Sequence, residues 1–137
     1  MIKKNKFIDL NRYHLLDHIG SGSFGDVFKV REIKTNKIYS GKIIKKTISN
    51  DYMNNEESLL FFREVKLMSI FNHPSIIKFI GYSPIDFEQL PHPTIIAEFV
   101  SRGTLNDVIK LESSGLSPDG WNETKKLINI YGIACGM

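Results

Sequence analysis

The alternation of apolar and polar residues along the chain predicts five β-strands. Such strands are short runs rich in β-branched and aromatic residues, bounded by Gly, Pro, Asn, Asp or Ser. The first two flank a glycine-rich stretch and indicate a hairpin, and the turn-like sequence KTNK at 34–37 leads into the third. The predicted strands cover residues 13–19, 26–31, 38–45, 75–83 and 94–100.

A helical period replaces this alternation in three places. Asn54 with Glu57 three residues later is typical of a capping box, and the helix that it opens is predicted to run to Phe71. Two further helices are predicted over 104–113 and from about residue 121 to the end. This order of elements predicts an α+β fold, with a mostly antiparallel five-stranded sheet and one helix against it.

The composition and net charge of the chain limit the classes of function that can be expected of it. The chain has 137 residues, 42% of them hydrophobic and 24% charged, which suits one modest core or one and a fraction of a larger one. The net charge of +3 is too small to argue for a nucleic-acid partner. Most of the excess comes from Lys3, Lys4 and Lys6, which we interpret as part of a solvated tail.

The pattern contains no targeting or membrane segment. The amino-terminal lysines have no apolar stretch behind them, and no uncharged segment approaches the length that crosses a bilayer. The lone cysteine, Cys135, excludes an intrachain disulfide. We therefore expect a cytoplasmic protein without a membrane or nucleic-acid partner.

The first candidate for a functional site is the stretch IGSGSFGDVFKV at 19–30. Its glycines, Gly20, Gly22 and Gly25, permit backbone N–H groups to lie against phosphate oxygens. A flexible hairpin turn is the alternative interpretation of such a pattern taken alone. A dinucleotide-binding loop would need a helix directly after the glycines, and a Walker A loop would need Gly-Lys-Ser/Thr; neither is present.

A lysine and a glutamate strengthen the phosphate interpretation. Lys42 interrupts an otherwise apolar strand, and Glu64 falls within the apolar stripe of the first helix. A carboxylate in such a stripe needs a cation, for which Lys42 is the best-placed candidate, unless Glu64 reaches water at the stripe's edge. The stripe consists of Phe61, Glu64, Val65, Met68 and Phe71.

At this point the sequence resembles the amino-terminal lobe of eukaryotic protein kinases, from about Tyr13 to the end. GSGSFGDV resembles the family's glycine-rich loop, YSGK its strand lysine motif, and REVKLMS the helix that carries the partner glutamate. TIIAEFVSRGTL is similar to the fifth strand and hinge, and GWNETKKLINIYGIACGM to a helix of tyrosine-kinase-like serine/threonine kinases. The resemblance implies an extension at 1–12, an ATP-binding lobe at 13–100, and a hinge with the first helices of a second lobe at 101–137.

The resemblance also implies roles for individual residues. Lys42 would hold the α- and β-phosphates of ATP and Glu64 would fix Lys42, so these two are the expected catalytic residues. The Glu98 carbonyl and the Val100 amide would bind adenine, and Thr104 would approach the ribose. Ala97 would guard the back of the pocket and leave volume for bulky ATP-competitive inhibitors. The remaining expected contacts to ATP are Ile19, Gly20, Ser21, Gly22, Ser23, Phe24, Gly25, Val27 and Ser40.

The segments that complete phosphoryl transfer are missing from the printed sequence. Family members carry an Asp that orients the attacking hydroxyl in HRD, and Mg²⁺ ligands in the catalytic-loop Asn and in DFG; neither motif occurs here. We therefore expect the ATP-binding part of a protein serine/threonine kinase, inactive alone, with a protein substrate and no magnesium ligand of its own. The alternative is a catalytically dead nucleotide-binding or scaffold module that docks a partner protein.

Overall fold

The computed structural model describes residues 6–45 and 56–137. A short 3-10 helix lies at Leu10–Arg12. The strands are β1 (Tyr13–Ser21), β2 (Gly25–Glu32), β3 (Ile38–Ile44), β4 (Phe79–Ser83) and β5 (Thr94–Glu98), and the helices are α1 (Glu56–Ile70), α2 (Leu105–Ser113) and α3 (Glu123–Gly136). The described strands form one antiparallel sheet in the order β1-β2-β3-β5-β4. The predicted α+β class with a five-stranded antiparallel sheet is confirmed.

Element ends differ from the prediction where turns intervene. The strand predicted from residue 75 begins only at Phe79, because the Ile76 amide donates to the His73 carbonyl (3.0 Å) and closes a turn. The first helix ends at Ile70, so the prediction that Phe71 belongs to its apolar stripe is wrong; Phe71 is 52% exposed. The predicted capping box involves Asn54, which lies outside the described residues.

One hydrophobic cluster packs α1 onto the sheet. Phe61 and Val65 lie one turn apart on the helix and are both buried. They contact Phe79 of β4 and Ile95 of β5, so the helix lies over the β4–β5 side of the sheet. Burial of side chains of this size contributes roughly 1.5–3 kcal/mol each relative to exposure. The partly buried residues around the cluster are Ile44, Met68 and Tyr82.

A second cluster lies on the opposite face of the sheet. Ile96 belongs to it and follows Ile95 directly along β5, and successive side chains of a strand point to opposite faces. The residues before β1 contribute to this cluster through Leu10, which is 4% exposed. The buried members are Leu10, Tyr13, Val30 and Ile96, and Ile8, Phe28, Tyr39, Ile80 and Phe87 pack against them.

The interpretation of Lys6 as part of a solvated tail is wrong. Its ammonium donates a hydrogen bond to the Phe79 carbonyl (3.2 Å) and lies 5.2 Å from the centre of the Phe79 ring. Lys3 and Lys4 lie outside the described residues. The chain therefore contacts the sheet before the first predicted strand begins.

The described residues divide into two compact units. One extends to Asn72 and includes Ile77–Phe99, and the other comprises His73–Ile76 with Val100–Met137. In the second unit, Glu112 of α2 binds Lys126 of α3 and accepts a hydrogen bond from the Trp121 indole (3.2 Å). The hydrogen bond from Lys126, followed by that from Trp121, lowers the pKa of Glu112.

Helix α3 presents a broad apolar surface. The exposed fractions of its large apolar residues lie between 53% and 72%, as expected for side chains that this chain does not cover. They are Leu127, Ile128, Ile130, Tyr131 and Ile133. In the described parts of the chain, no helix combines the length and the apolar character that crossing a membrane requires.

Candidate functional site

The register of the central strands gathers the candidate site residues on the face that α1 covers. Lys42 of β3 lies opposite Val27 of β2 and opposite Ile95 of β5. Directly opposed residues of antiparallel strands share a face, and Ile95 packs under α1. Two residues earlier on the same face, Ser40 lies opposite Ala97. Val27, Ser40, Lys42 and Ala97 therefore belong to one surface of the sheet.

Lys42 and Glu64 form an ion pair across this surface. The distance from Lys42 Nζ to Glu64 Oε1 is 3.3 Å, so the contact expected from the sequence is present. Glu64 follows Phe61 by three residues, and burial of Phe61 turns the glutamate toward β3. The side chains are 32% and 44% exposed, so Glu64 lies at the margin of the apolar stripe. An ion pair this open contributes about 0–1 kcal/mol to folding, and its main effect is to position the ammonium.

The tip of the glycine-rich loop bends over the lysine. Phe24 is 67% exposed to solvent, and its ring centre lies 6.0 Å from Lys42 Nζ. This distance is at the outer limit of a cation–π contact. The Lys45 amide donates to the Phe24 carbonyl (3.1 Å), which ties the tip to the end of β3.

The three glycines of the loop have different surroundings. A Cβ added to Gly20 would meet no described atom within 4 Å, and one added to Gly22 would meet only the Gly25 carbonyl oxygen at 3.9 Å. A Cβ on Gly25 would lie 2.2 Å from the Ile43 carbonyl oxygen, which is impossible without a shift of backbone. Gly25 thus permits β2 to approach β3, while the backbone at Gly20 and Gly22 is open to a ligand.

Polar contacts hold the base of the loop. The Ser21 hydroxyl donates to Asp26 Oδ1 (2.6 Å), which joins the two strands on either side of the glycines. Lys45 Nζ lies 3.2 Å from the same carboxylate, and His18 Nε2 is 2.9 Å from Ser21 Oγ. The hydrogen bond from Ser21, followed by that from Lys45, lowers the pKa of Asp26. Ser21 was expected to contact the nucleotide, and its hydrogen bond to Asp26 was not expected from the sequence.

Ser40 contacts the main chain at the end of β5. Its hydroxyl lies 3.0 Å from the Glu98 carbonyl oxygen and 3.3 Å from the Ala97 carbonyl oxygen, so these two acceptors share its one proton. The side chain of Glu98 accepts a hydrogen bond from the Lys78 amide (2.8 Å). Ala97 is 8% exposed. The contact of Ser40 was missed because it depends on strand register.

Two expected site residues belong to the second unit. Val100 is 55% exposed. Thr104 is the N-cap of α2: its hydroxyl accepts from the Asp107 amide (3.1 Å) and lies 2.6 Å from Asp107 Oδ2. Hydrogen bonds from Thr104 lower the pKa of Asp107. Thr104 and Asp107 therefore form a capping box at the start of α2, a structural role for Thr104 that the sequence did not reveal.

The other expected contacts lie along the loop. Ile19 is 47% exposed near the end of β1, and Ser23 is exposed next to Phe24. Among the described residues, no group of three or more His, Cys, Asp or Glu side chains is close enough to hold a metal ion.

Comparisons with known proteins point to one family. The protein kinase domain family model matches residues 13–131. The chain is 37% identical over 101 residues, 72% of its length, to NUAK family SNF1-like kinase 2 of Rattus norvegicus, of which it covers 14%. It is 35% identical over 130 residues, 95% of its length, to the serine/threonine-protein kinase TNNI3K of Pongo abelii, of which it covers 19%.

A plant relative extends the likeness. MAP3K epsilon protein kinase 1 of Arabidopsis thaliana is 30% identical over 116 residues, 85% of this chain and 8% of the relative. Across the similar curated proteins, the chain spans between 6% and 23% of their length. It therefore matches one part of much longer proteins.

Proposed function

Because the chain belongs to the protein kinase family, we propose that it is the ATP-binding part of an enzyme that transfers the γ-phosphate of ATP to protein Ser or Thr hydroxyls. The observation that carries the proposal is the Lys42–Glu64 ion pair, 3.3 Å long, on the sheet face that also carries Val27, Ser40 and Ala97. A lysine held by a carboxylate beside a glycine-rich loop supplies an oriented cation for phosphate oxygens.

The donor set suits a triphosphate. An ammonium carries three N–H donors, of which the contact with Glu64 uses one, so Lys42 retains donors for phosphate oxygens. The open surroundings of Gly20 and Gly22 leave room for main-chain amides to approach the same charges. Phe24, at the tip of the loop, would lie over the bound phosphates.

The base of the nucleotide would contact the end of β5. We propose that the Glu98 carbonyl accepts a hydrogen bond from adenine and that Ile19, Val27, Ser40 and Ala97 line the adenine pocket. The roles that the resemblance implies for Val100 and Thr104 stay predictions. The hydroxyl of Ser40, which donates to the Glu98 carbonyl, would help to fix that acceptor.

Transfer itself needs groups that the printed sequence does not contain. Mg²⁺, when bound with ATP, would neutralise charge on the phosphates. We propose that the ligands for Mg²⁺ and the aspartate that orients the attacking hydroxyl come from segments like HRD and DFG, which are absent from these 137 residues. On this proposal the chain binds ATP and does not phosphorylate a protein by itself.

Replacement of Lys42 tests the proposal. Lys42→Met removes the cation but keeps the aliphatic stem, so a fluorescent ATP analogue should bind at least roughly tenfold more weakly, a loss of about 1.4 kcal/mol. Lys37→Met is the matched control, because Lys37 is an exposed lysine that directly precedes β3 and lies 5.5 Å from the Tyr39 ring centre. In a longer protein that carries HRD and DFG, Lys42→Met should abolish ATP-dependent phosphorylation. Equal affinity of Lys42→Met and Lys37→Met for the analogue would contradict the proposal.

The exposed apolar surface of α3 favours a second candidate, a scaffold module that docks a protein partner. The two candidates differ in the coding sequence beyond Met137. Segments resembling HRD and DFG there would support the enzyme, and a coding sequence that continues without them would support the scaffold.

A further inference from the structure

The residues before β1 pair with the free edge of the sheet. Within the described sheet β4 is an edge strand. The Ile8 amide donates to the Tyr82 carbonyl, and the Tyr82 amide donates to the Lys6 carbonyl, each at 2.9 Å. Phe7 lies opposite Tyr82 in a parallel bridge. We call residues 6–10 the strap, because they run along an edge that would otherwise expose unpaired backbone.

Gly81 makes this close approach possible. A Cβ added there would lie 2.4 Å from Ile8 Cγ2 and 2.5 Å from the Lys6 carbonyl oxygen. Both distances are shorter than real Cβ contacts allow, and the second involves backbone, which cannot rotate away. The absence of a side chain at Gly81 therefore lets the strap lie against β4.

A chain of aromatic rings connects the strap to α1. The ring of Phe7 meets that of Tyr82 edge-on, with ring centres 6.2 Å apart. Tyr82 in turn lies 6.1 Å from Phe61 and 6.3 Å from Phe62, both of α1. Edge-to-face ring pairs at such distances are attractive. Glu64 follows Phe62 by two residues on the same helix.

The two ends of the strap are fastened separately. Lys6 donates to the carbonyl of Phe79, whose side chain packs against α1. Leu10 is buried in the cluster on the opposite face of the sheet. The strap therefore contacts both faces of the sheet, and Tyr82 links it to α1.

We propose that the strap positions the Lys42–Glu64 pair. Phe7 and Gly81 hold Tyr82 against Phe61 and Phe62, and this contact fixes the helix that presents Glu64 to Lys42. The functional consequence, tighter nucleotide binding, rests on the function proposed above. The positioning of α1 itself does not, because it is a property of the helix without any ligand.

Hydrogen–deuterium exchange of the 137-residue chain measures this positioning. Phe7→Ala removes the ring contact and Gly81→Ala displaces the strap, so both should raise exchange of α1 amides about fivefold or more, as expected when a local contact is lost. Phe7→Tyr keeps the ring, and the side chain of Phe7 is exposed enough to place a hydroxyl in water, so it should exchange like the original chain. Gly132→Ala in α3 is the control glycine, since its added Cβ would meet Ser75 Oγ at an ordinary 3.6 Å.

A second measurement, nucleotide affinity, tests whether the strap acts through Glu64. Phe7→Ala should weaken binding of a fluorescent ATP analogue about threefold or more, and this effect should vanish in a Glu64→Gln background, because residues that act through one another are not additive. Unchanged α1 exchange in Phe7→Ala, or an equal loss of affinity in both backgrounds, would overturn the proposal. If Gly81→Ala does not fold, the Phe7→Ala and Phe7→Tyr pair decides. If the original chain binds no nucleotide, the proposed function fails and the exchange data still test the strap.

Discussion

At the residue scale, Gly25 and Gly20 offer a matched pair of substitutions. Gly25→Ala places a methyl group against the Ile43 carbonyl, so we expect it to lower the free energy of unfolding by about 1–3 kcal/mol. Gly20→Ala adds the same methyl group where no described atom lies within 4 Å, and we expect a change within about 0.5 kcal/mol. Urea unfolding of both variants measures the difference. Equal destabilisation would show that the two positions do not differ as described.

Individual residues also show which contacts can be recognised from a sequence. Lys42 and Glu64 are recognisable because each is a charge placed where the surrounding pattern is apolar, and such a charge requires a partner. The Ser40 contact with the Glu98 carbonyl has no comparable signal, since a serine in a strand is common and its partner depends on register. The roles of both pairs toward ATP stay predictions.

At the scale of elements, the loop between β4 and β5 depends on one carboxylate. Asp86 is 6% exposed and accepts hydrogen bonds from the amides of Glu88 (2.8 Å) and Leu90 (3.0 Å) and a contact from His92 Nδ1 (2.7 Å). Burial acts to raise the pKa of Asp86, but the hydrogen bonds from His92 and the two amides outweigh it and lower the pKa. The folded state therefore favours the charged form.

The lowered pKa gives a pH-dependent stability with a definite sign. The contribution of Asp86 is fully present above the ordinary value of 3.8 and is lost as pH falls through the lower value of the folded state. We expect Asp86→Asn to be less stable at pH 6, and the gap to the original chain to narrow below pH 3.8. Denaturant unfolding at several pH values measures the gap. A gap that widens on acidification would contradict this account.

Strands and helices with a clear hydrophobic periodicity were predicted well, but their first and last residues were predicted less well. The strands around the glycine-rich loop were predicted to within two residues of β1 and β2, because turn residues bound them clearly. The strand at 75–83 was predicted too long, since SIIK has strand composition but begins within a turn, in which the Ser75 amide donates to His73 Nδ1 (3.1 Å). Local composition cannot show a hydrogen bond that competes with the sheet.

At the scale of the whole molecule, the apolar surface of α3 has a measurable consequence. Exposed patches of this kind favour association, so we expect the 137-residue chain to self-associate as its concentration rises. Ile130→Gln and Tyr131→Gln should reduce association and leave the melting temperature nearly unchanged, because both side chains are more than 60% exposed. Analytical ultracentrifugation and thermal unfolding measure the two effects. A large fall in melting temperature would show that the residues are needed for folding.

Whole-molecule organisation was accessible to sequence in part. The fold class followed from the order of the elements. The strap along β4 was missed because residues 6–10 have no period of their own and pair with a strand about 75 positions away. The absence of a side chain at Gly81 is a signal only once that pairing is known.

We propose that Glu64 positions Lys42 to bind phosphate, and a double-mutant cycle on nucleotide affinity tests this. We predict that Lys42→Met and Glu64→Gln each weaken binding of a fluorescent ATP analogue about tenfold, and that the double variant binds no more weakly than Lys42→Met alone. Full additivity of the two losses, or unchanged affinity in Glu64→Gln, would contradict the account.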